Sequence, residues 1–158
     1  MKTQYTLLLL ALIGPACGGQ DAPDELAEAC EHFSSPATSV TASAESGWGV
    51  APDVSTPHTA YAVDLVDAGT GYVTFETAHT AAFFMVVSVG TDLTLFDGDG
   101  VAQTLTLHDA GACEGTAEAW ETDLSIGAYQ IGLTHPTESQ ISLLIEEASE
   151  DEHDHEAE

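Results

Sequence analysis

The sequence predicts an all-β protein: an antiparallel β-sandwich of jelly-roll-like form, with one short N-terminal helix and a disordered acidic C-terminal tail. Two observations carry this prediction. From His58 onward, short segments alternate apolar with polar residues, and Gly or Pro separates one segment from the next. Seven or eight such segments at regular spacing are typical of a sandwich. From about Ser149 the chain has no apolar residue except Ala157, so this end cannot pack against a core.

The first residues resemble a bacterial export signal that ends at a lipid-attachment cysteine. The apolar run Thr6–Ile13 is much shorter than the roughly 20 residues of a membrane-spanning helix. We expect residues 1–16 to be a signal peptide and residues 17–23 a tether that carries a lipid on Cys17. Ordinary secretory cleavage, which would leave Cys17 as a spare thiol, is the alternative. Because Gly18 follows the cysteine instead of an aspartate, we expect a lipid anchor in the outer membrane, with the protein facing the periplasm or the cell surface.

The chain has three cysteines, Cys17, Cys30 and Cys113. If Cys17 takes the lipid, a disulfide between Cys30 and Cys113 is the bridge that remains, in a compartment that permits disulfides. The alternative places the segment Cys30, Glu31 and His32 around a soft metal ion together with Cys113. An oxidising compartment favours the disulfide, because free thiolates do not persist there.

The charge balance is extreme. Lys2 is the only Lys or Arg, and all 27 acidic residues follow Cys17. We therefore expect no nucleic-acid partner, because phosphate contacts need Lys or Arg. Anionic phosphate substrates are disfavoured for the same reason, and Schiff-base and P-loop chemistry lack their lysine. A surface this acidic attracts cations and repels itself. Adaptation to saline surroundings and a specific cation-linked role both remain open as explanations.

Residues 24–57 are predicted to form a short helix and an irregular linker. Leu26, Cys30 and Phe33 fall at positions i, i+4 and i+7, which places them on one helix face. This face can dock on a core, with Cys30 pointing inward toward its partner. The linker has turn residues and little periodicity, with one strand predicted near Val40.

Residues 58–148 are predicted to be the β-sandwich domain. The segment "AAFFMVVSV" is apolar throughout, as expected of a central strand that is covered on both faces. The segment "DLTLFDGDGVAQTLTLHD" predicts a hairpin whose turn is "DGDG", with Leu105 and Leu107 alternating on the return strand. The other alternating apolar residues that define strands are Tyr61, Val63, Leu65, Val73, Phe75, Leu93, Leu95, Tyr129, Ile131, Leu133, Ile141, Leu143 and Ile145.

Two segments resemble bacterial pre-peptidase C-terminal (PPC-like) domains. "TDLTLFDGDG" is similar to their strand and turn, and "DLSIGAYQIGLT" is similar to one of their glycine- and tyrosine-containing strands. The resemblance covers roughly residues 58–146. It implies a non-catalytic, jelly-roll-like module, a class of which some members bind calcium, collagen or sugars. The layout also resembles small acidic envelope lipoproteins of Gram-negative bacteria, with "CEH" after the tether and a His-bearing acidic end.

Several residues outside the tail are candidates for ligand sites. The "DGDG" run at Asp97 to Gly100 is explained by a hairpin turn better than by a calcium loop, because the residues after Gly100 do not continue the EF-hand pattern. Trp48 and Trp120 are candidates for stacking on a sugar, although Trp120 alternates within a strand and is expected in the core. Four histidines near predicted strand ends are expected to be isolated, with convergence at one pole of the sandwich as the alternative: His58, His79, His108 and His135.

The candidate metal ligands lie in the tail, residues 149–158. They are His153, His155, Asp151 and Asp154. Imidazole suits zinc and copper, and the neighbouring carboxylates raise the local cation concentration. A flexible tail loses chain entropy when it wraps an ion, so binding by the tail is expected to be weak and to depend on pH. A solvated acidic tail without ligands is the alternative.

The sequence carries no nucleophile signature, so no enzyme activity is expected. The predicted function is that of a lipid-anchored, non-catalytic β-sandwich lipoprotein of the cell envelope that binds divalent zinc or copper weakly. The alternative is a carbohydrate-binding or adhesion module at the cell surface. The expected partners are the membrane, through the lipid anchor, together with divalent cations and a glycan or an envelope protein.

Overall fold

The computed structural model of the protein describes residues 24–66, 69–108 and 114–148. These residues form two facing β-sheets and one short helix, which confirms the predicted all-β sandwich with a single N-terminal helix. Within these ranges, no helix is long and apolar enough to cross a membrane.

Some predictions fall outside the described residues and stay predictions. These are the signal peptide (residues 1–16), the tether (residues 17–23), Cys113 and the acidic tail (residues 149–158). The lipidation residue and the tail's candidate metal ligands belong to this group: Cys17, His153, His155, Asp151 and Asp154.

The elements follow one another with short connections, except before the second strand. In chain order they are α1 Asp24–Phe33, β1 Thr38–Thr41, β2 Tyr61–Asp64, β3 Thr70–Thr77, β4 Ala81–Val87, β5 Asp92–Asp97, β6 Thr106–His108, β7 Glu118–Leu124, β8 Gly127–Thr134 and β9 Gln140–Glu147.

The strand order shows how the chain is wound. One sheet has the order β1-β2-β9-β4-β7-β6, and the other has the order β3-β8-β5. The antiparallel pairs β2 with β9, β3 with β8 and β4 with β7 are nested in the sequence and alternate between the two sheets. This is the pattern of one long hairpin rolled around a core, as in a jelly roll.

The sandwich is antiparallel as predicted except at one edge, where β1 runs parallel to β2. The connection between them, residues 42–60, crosses to the other sheet and forms single bridges to β3 through Ser43 and Asp53. A crossover of this length can return the chain in its original direction, which parallel pairing requires. The crossing is close: a Cβ added to Gly71 in β3 would lie 2.5 Å from the Cβ of Ala42. Glycine is therefore required at that position.

The predicted hairpin after β5 is partly wrong. Its turn forms as expected, because the carboxylate of Asp97 accepts hydrogen bonds from the backbone N–H groups of Asp99 (3.0 Å) and Val101 (2.8 Å). The return strand β6, however, pairs with β7 in the opposite sheet instead of with β5. Leu107 consequently lies at a sheet edge and is 55% exposed, whereas Leu105 packs partly against the core.

The core has two layers, and the alternation predicted for β2, β3, β8 and β9 is confirmed in the larger layer. The side chains between the two sheets include Tyr61, Val63, Leu65, Val73, Phe75, Leu93, Leu95, Tyr129, Ile131, Leu133, Ile141, Leu143 and Ile145, all buried. The smaller layer lies between α1 and the outer face of the six-stranded sheet; its buried members are Leu26, Ala29, Phe84, Val86, Ala119 and Leu144. Strand β4 contributes to both layers, as expected of a strand covered on both faces.

Candidate functional site

A carboxylate is buried where the helix ends on the sheet. Glu146 is the second-last residue of β9, and its side chain is only 6% exposed. Two positions earlier on the same face, Leu144 is buried beneath α1. The alternation of the strand therefore sends Glu146 to the helix-covered face, at the end of β9.

Two histidines contact this carboxylate, one at each of its oxygens. His32 lies in the last turn of α1, and its Nδ1 atom is 3.1 Å from Oε2 of Glu146. His58 lies in the connection before β2, and its Nδ1 atom is 2.5 Å from Oε1. The centroids of the two imidazole rings are 4.5 Å apart. We call His32, His58 and Glu146 the His–Glu site.

The pairing follows from the composition of the chain. A carboxylate taken out of water needs a charged or hydrogen-bonding partner, because its desolvation otherwise costs several kcal/mol. After Lys2 the chain contains no Lys or Arg, so His is the only side chain that can supply a cationic partner. Glu146 has an imidazole at each of its two oxygens, which accounts for its burial.

The backbone of His58 adopts an uncommon conformation. Its φ angle is 54°, and among the described residues it is the only non-glycine residue with positive φ. A left-handed non-glycine residue costs of order 1–3 kcal/mol and persists only where its surroundings hold it. The contact with Glu146 is such a restraint. Residues held in this way occur preferentially at functional sites, which marks His58 independently of its distance to the carboxylate.

The helix that carries His32 is firmly attached to the sheet. Leu26 and Ala29 are fully buried against β4 and β9, and Cys30 and Phe33 pack at the margin of the same cluster, as predicted. Cys30 is disulfide-bonded. Because the other two cysteines lie outside the described residues, its pairing with Cys113 stays a prediction. A bonded Cys30 offers no thiolate, so the alternative of a soft-metal site around Cys30 and His32 is not supported.

A cavity of about 430 Å³ opens beside the His–Glu site. His58 and Glu146 form part of its wall, and the aromatic rings of Phe75 and Phe83 line it with Ile145. Four more titratable side chains line it: Glu28, Glu76, His79 and Glu147. The described residues include no Lys or Arg that could balance these carboxylates, so the cavity favours a cation.

The His–Glu site has the chemistry of a transition-metal site. Its three ligand atoms, two imidazole nitrogens and one carboxylate oxygen, all lie within 4.8 Å of one another. Ligands of a tetrahedral zinc ion at bond lengths of about 2.0–2.1 Å lie roughly 3.3 Å apart, so small side-chain rotations would suffice. Imidazole and carboxylate together suit zinc and copper. The negative end of the α1 dipole, next to His32, also favours a cation there.

The other predicted histidines have separate roles. His79 lines the same cavity as His58, and its Nδ1 atom is 3.3 Å from Oε2 of Glu147. His108 pairs with Glu121 across β6 and β7. The Nδ1 atom of His135 accepts hydrogen bonds from two backbone N–H groups of the next turn. The expectation that strand-end histidines are isolated is therefore wrong for His58, which meets His32 and not another strand-end histidine.

One feature of the sequence indicates that Glu146 is buried. Leu144 is apolar on the face of β9 that was expected to point outward, which indicates that something covers this face. Glu146 occupies the same face, beneath the same cover. For His32, the sequence indicates only a role beside Cys30 in the soft-metal alternative. Comparison of the chain with protein-family models and with curated proteins gave no match.

Proposed function

We propose that the protein is a lipid-anchored, non-catalytic β-sandwich of the cell envelope that binds one divalent transition-metal ion, zinc or copper, at the His–Glu site. The observation that carries the proposal is the convergence of two imidazoles, from the partly exposed His32 and the exposed His58, on the buried carboxylate of Glu146. The lipobox-like start at Cys17 supports the anchor, and the resemblance to PPC-like modules agrees with a binding function rather than catalysis.

The His–Glu site is a better primary site than the acidic tail taken alone. A tail must lose roughly 1–2 kcal/mol of chain entropy for each residue that the ion fixes. Two of the three side chains of the His–Glu site lie on folded elements, His32 on α1 and Glu146 on β9, so less of this cost remains. We therefore assign the main affinity to His32, His58 and Glu146.

Zinc titration by calorimetry tests the site directly, and the chain offers a matched control. Glu121 pairs with His108 much as Glu146 pairs with His58. The Nε2 atom of His108 lies 2.5 Å from Oε2 of Glu121, and the Nδ1 atom of His58 lies 2.5 Å from Oε1 of Glu146. Among the described residues, no second histidine pairs with Glu121. We expect E146Q to lose at least about tenfold in zinc affinity, since even indirect partners of a metal typically contribute that much. E121Q should bind zinc like the wild type. Equal binding by wild type and E146Q would show that the proposed site is wrong.

The anchor needs its own test. Mass spectrometry of the membrane fraction should find a mature N-terminus at an acylated Cys17. A soluble exported form with an unmodified Cys17 would contradict the lipid anchor and leave the metal site unaffected.

A groove of about 640 Å³ favours the second candidate function, binding of a carbohydrate. Trp120 lines it together with Pro136, Asp92 and Thr94, and aromatic faces beside polar groups are suited to sugar rings. Trp120 also packs partly against the core, as predicted, while Trp48 is 46% exposed. Binding on a glycan array that W120A abolishes and E146Q retains would support this candidate.

A further inference from the structure

The cavity beside the His–Glu site is an open end of the main core. Phe75 on β3 comes from the three-stranded sheet, and Phe83 on β4 and Ile145 on β9 come from the six-stranded sheet. All three side chains belong to the buried core, and all three line the cavity. The two sheets therefore leave apolar side chains facing a space of about 430 Å³, a volume typical of small-molecule sites.

Two aromatic rings form a preformed wall of this cavity. The ring centroids of Phe75 and Phe83 are 5.3 Å apart, and the ring planes meet at 72°, the edge-to-face arrangement that aromatic pairs favour. The backbones of both residues are held by strand pairing, Phe75 to β8 and Phe83 to β7 and β9. An apolar group can therefore pack against this wall without first ordering it.

Carboxylates surround the apolar wall. Glu76 follows Phe75 on β3, and Glu28 reaches the cavity from α1; both residues are exposed, so they lie on its solvent side. Glu147 also lines the cavity, where it pairs with His79 at 3.3 Å. The part of the chain that the structure describes holds no Lys or Arg that could neutralise these groups. The cavity thus joins an apolar wall to a negatively charged opening.

This combination discriminates between classes of ligand. An anion is repelled by the carboxylates, and a bare metal ion gains nothing from aromatic rings. A primary ammonium group on an aromatic body uses both features. Its N–H groups donate charge-assisted hydrogen bonds to carboxylates, which are stronger than hydrogen bonds between neutral groups. Its ring leaves water when it packs against the apolar wall.

We propose that this cavity binds a small organic cation, a primary ammonium group carried on an aromatic body. The aromatic body packs against Phe75, Phe83 and Ile145, and the ammonium group donates hydrogen bonds to the carboxylates of Glu28 and Glu76. The inference goes beyond the proposed function, because the cavity needs no metal ion to bind such a ligand. Protein freed of metal with EDTA is therefore the state in which it is tested.

Calorimetry with 2-phenylethylammonium on the full-length protein tests the ligand class. Ethylammonium has the same charge without the ring, and 3-phenylpropionate has the ring with the opposite charge. We expect 2-phenylethylammonium to bind at one site, at least about tenfold more tightly than ethylammonium, because only the former buries a ring. We expect no detectable binding of 3-phenylpropionate. Equal affinity for the two ammonium ions would show attraction to the acidic surface alone and would overturn the proposal.

A pair of double variants tests the position of the ammonium group. Glu28→Gln with Glu76→Gln removes two exposed carboxylates of the cavity. Its matched control, Glu45→Gln with Glu138→Gln, removes two exposed carboxylates that are not among the described residues lining the cavity. We expect the cavity variant to bind 2-phenylethylammonium about fivefold more weakly than the control, as two exposed ion pairs would contribute. Equal affinity of the two variants would contradict the proposal.

Nuclear Overhauser effects locate the ligand independently of affinity. The ring protons of bound 2-phenylethylammonium should show contacts to the rings of Phe75 and Phe83 and to the methyl groups of Ile145. Contacts only to residues elsewhere on the surface would overturn the proposal. Because EDTA is present in every measurement, such a failure would leave the metal site untouched, and that site is tested separately by the zinc affinity of E146Q.

Discussion

The Nδ1 atom of His58 lies 2.5 Å from Oε1 of Glu146, while the other oxygen of the same buried carboxylate faces His32 at 3.1 Å. One carboxylate thus joins the end of α1, the connection before β2 and the end of β9. The chain has no Lys or Arg after Lys2, so two imidazoles supply the partners that an arginine often gives to a buried carboxylate. The same three side chains form a set of metal ligands.

Metal binding at the His–Glu site should depend on pH. A metal ion needs unprotonated imidazole, so protons compete with zinc for any imidazole ligand. Zinc affinity should therefore fall as the pH is lowered from about 7.5 to about 5.5, a range over which imidazoles ordinarily become protonated. Calorimetry at several pH values measures this, and proton release on zinc binding should appear as a dependence of the heat on the buffer. Affinity that does not change with pH would point to carboxylates alone as ligands.

Substitutions of His58 should separate its backbone strain from its ligand role. Asn adopts a left-handed φ more readily than Ala, for which this backbone conformation costs roughly 1–2 kcal/mol. Both H58N and H58A should lose zinc binding, but without metal H58N should have the higher free energy of unfolding. Denaturant melts in the presence of EDTA check this. Equal stability of H58A and H58N would mean that residue 58 does not need the left-handed conformation, and it would contradict the strain assigned to His58.

The Cys30–Cys113 bridge is expected to support the site through α1. Non-reducing peptide mapping of the exported protein should join these two cysteines. Reduction should lower the free energy of unfolding by about 2–4 kcal/mol and weaken zinc binding, because His32 follows Cys30 by two residues on the same helix. A bridge between Cys30 and Cys17 would contradict both the pairing and the lipid anchor.

Stability should increase with ionic strength. The acidic residues number 27 against one Lys or Arg, so exposed carboxylates repel one another. The Debye length falls from about 30 Å at 0.01 M salt to about 3 Å at 1 M salt, which screens this repulsion. Melting temperature measured across that range in sodium chloride, with EDTA present, should rise. A flat response would show that the acids are too dispersed to matter and would weaken the saline-adaptation explanation.

Local pattern was sufficient to predict most of the fold, but not its long-range pairings. The alternation of Ile141, Leu143 and Ile145 is a property of one strand, and it gave the buried face of β9 correctly. Two pairings were not predicted: β1 pairs in parallel with β2, and β6 pairs with β7 instead of with β5. Both depend on the path of the connecting segments, which have no periodic pattern of apolar residues. The local pattern consequently predicts that the strand of Leu107 pairs with β5, whereas that strand, β6, pairs with β7.

The His–Glu site was out of reach for a related reason. His32 and Glu146 are separated by 114 residues, and only the docking of α1 on the outer face of β9 brings them together. The sequence showed that the helix has an apolar face and that β9 carries Leu144 on its outer side. Neither feature alone specifies that these two surfaces meet, or that His58 approaches from a third segment.

A crystal structure of the zinc-loaded protein, with data collected on both sides of the zinc absorption edge, tests the central claim most directly. The account predicts one strong anomalous peak per chain, about 2.0–2.1 Å from Nδ1 of His32, from Nδ1 of His58 and from a carboxylate oxygen of Glu146. A zinc peak elsewhere, with the contacts of His32 and His58 to Glu146 unchanged, would contradict it.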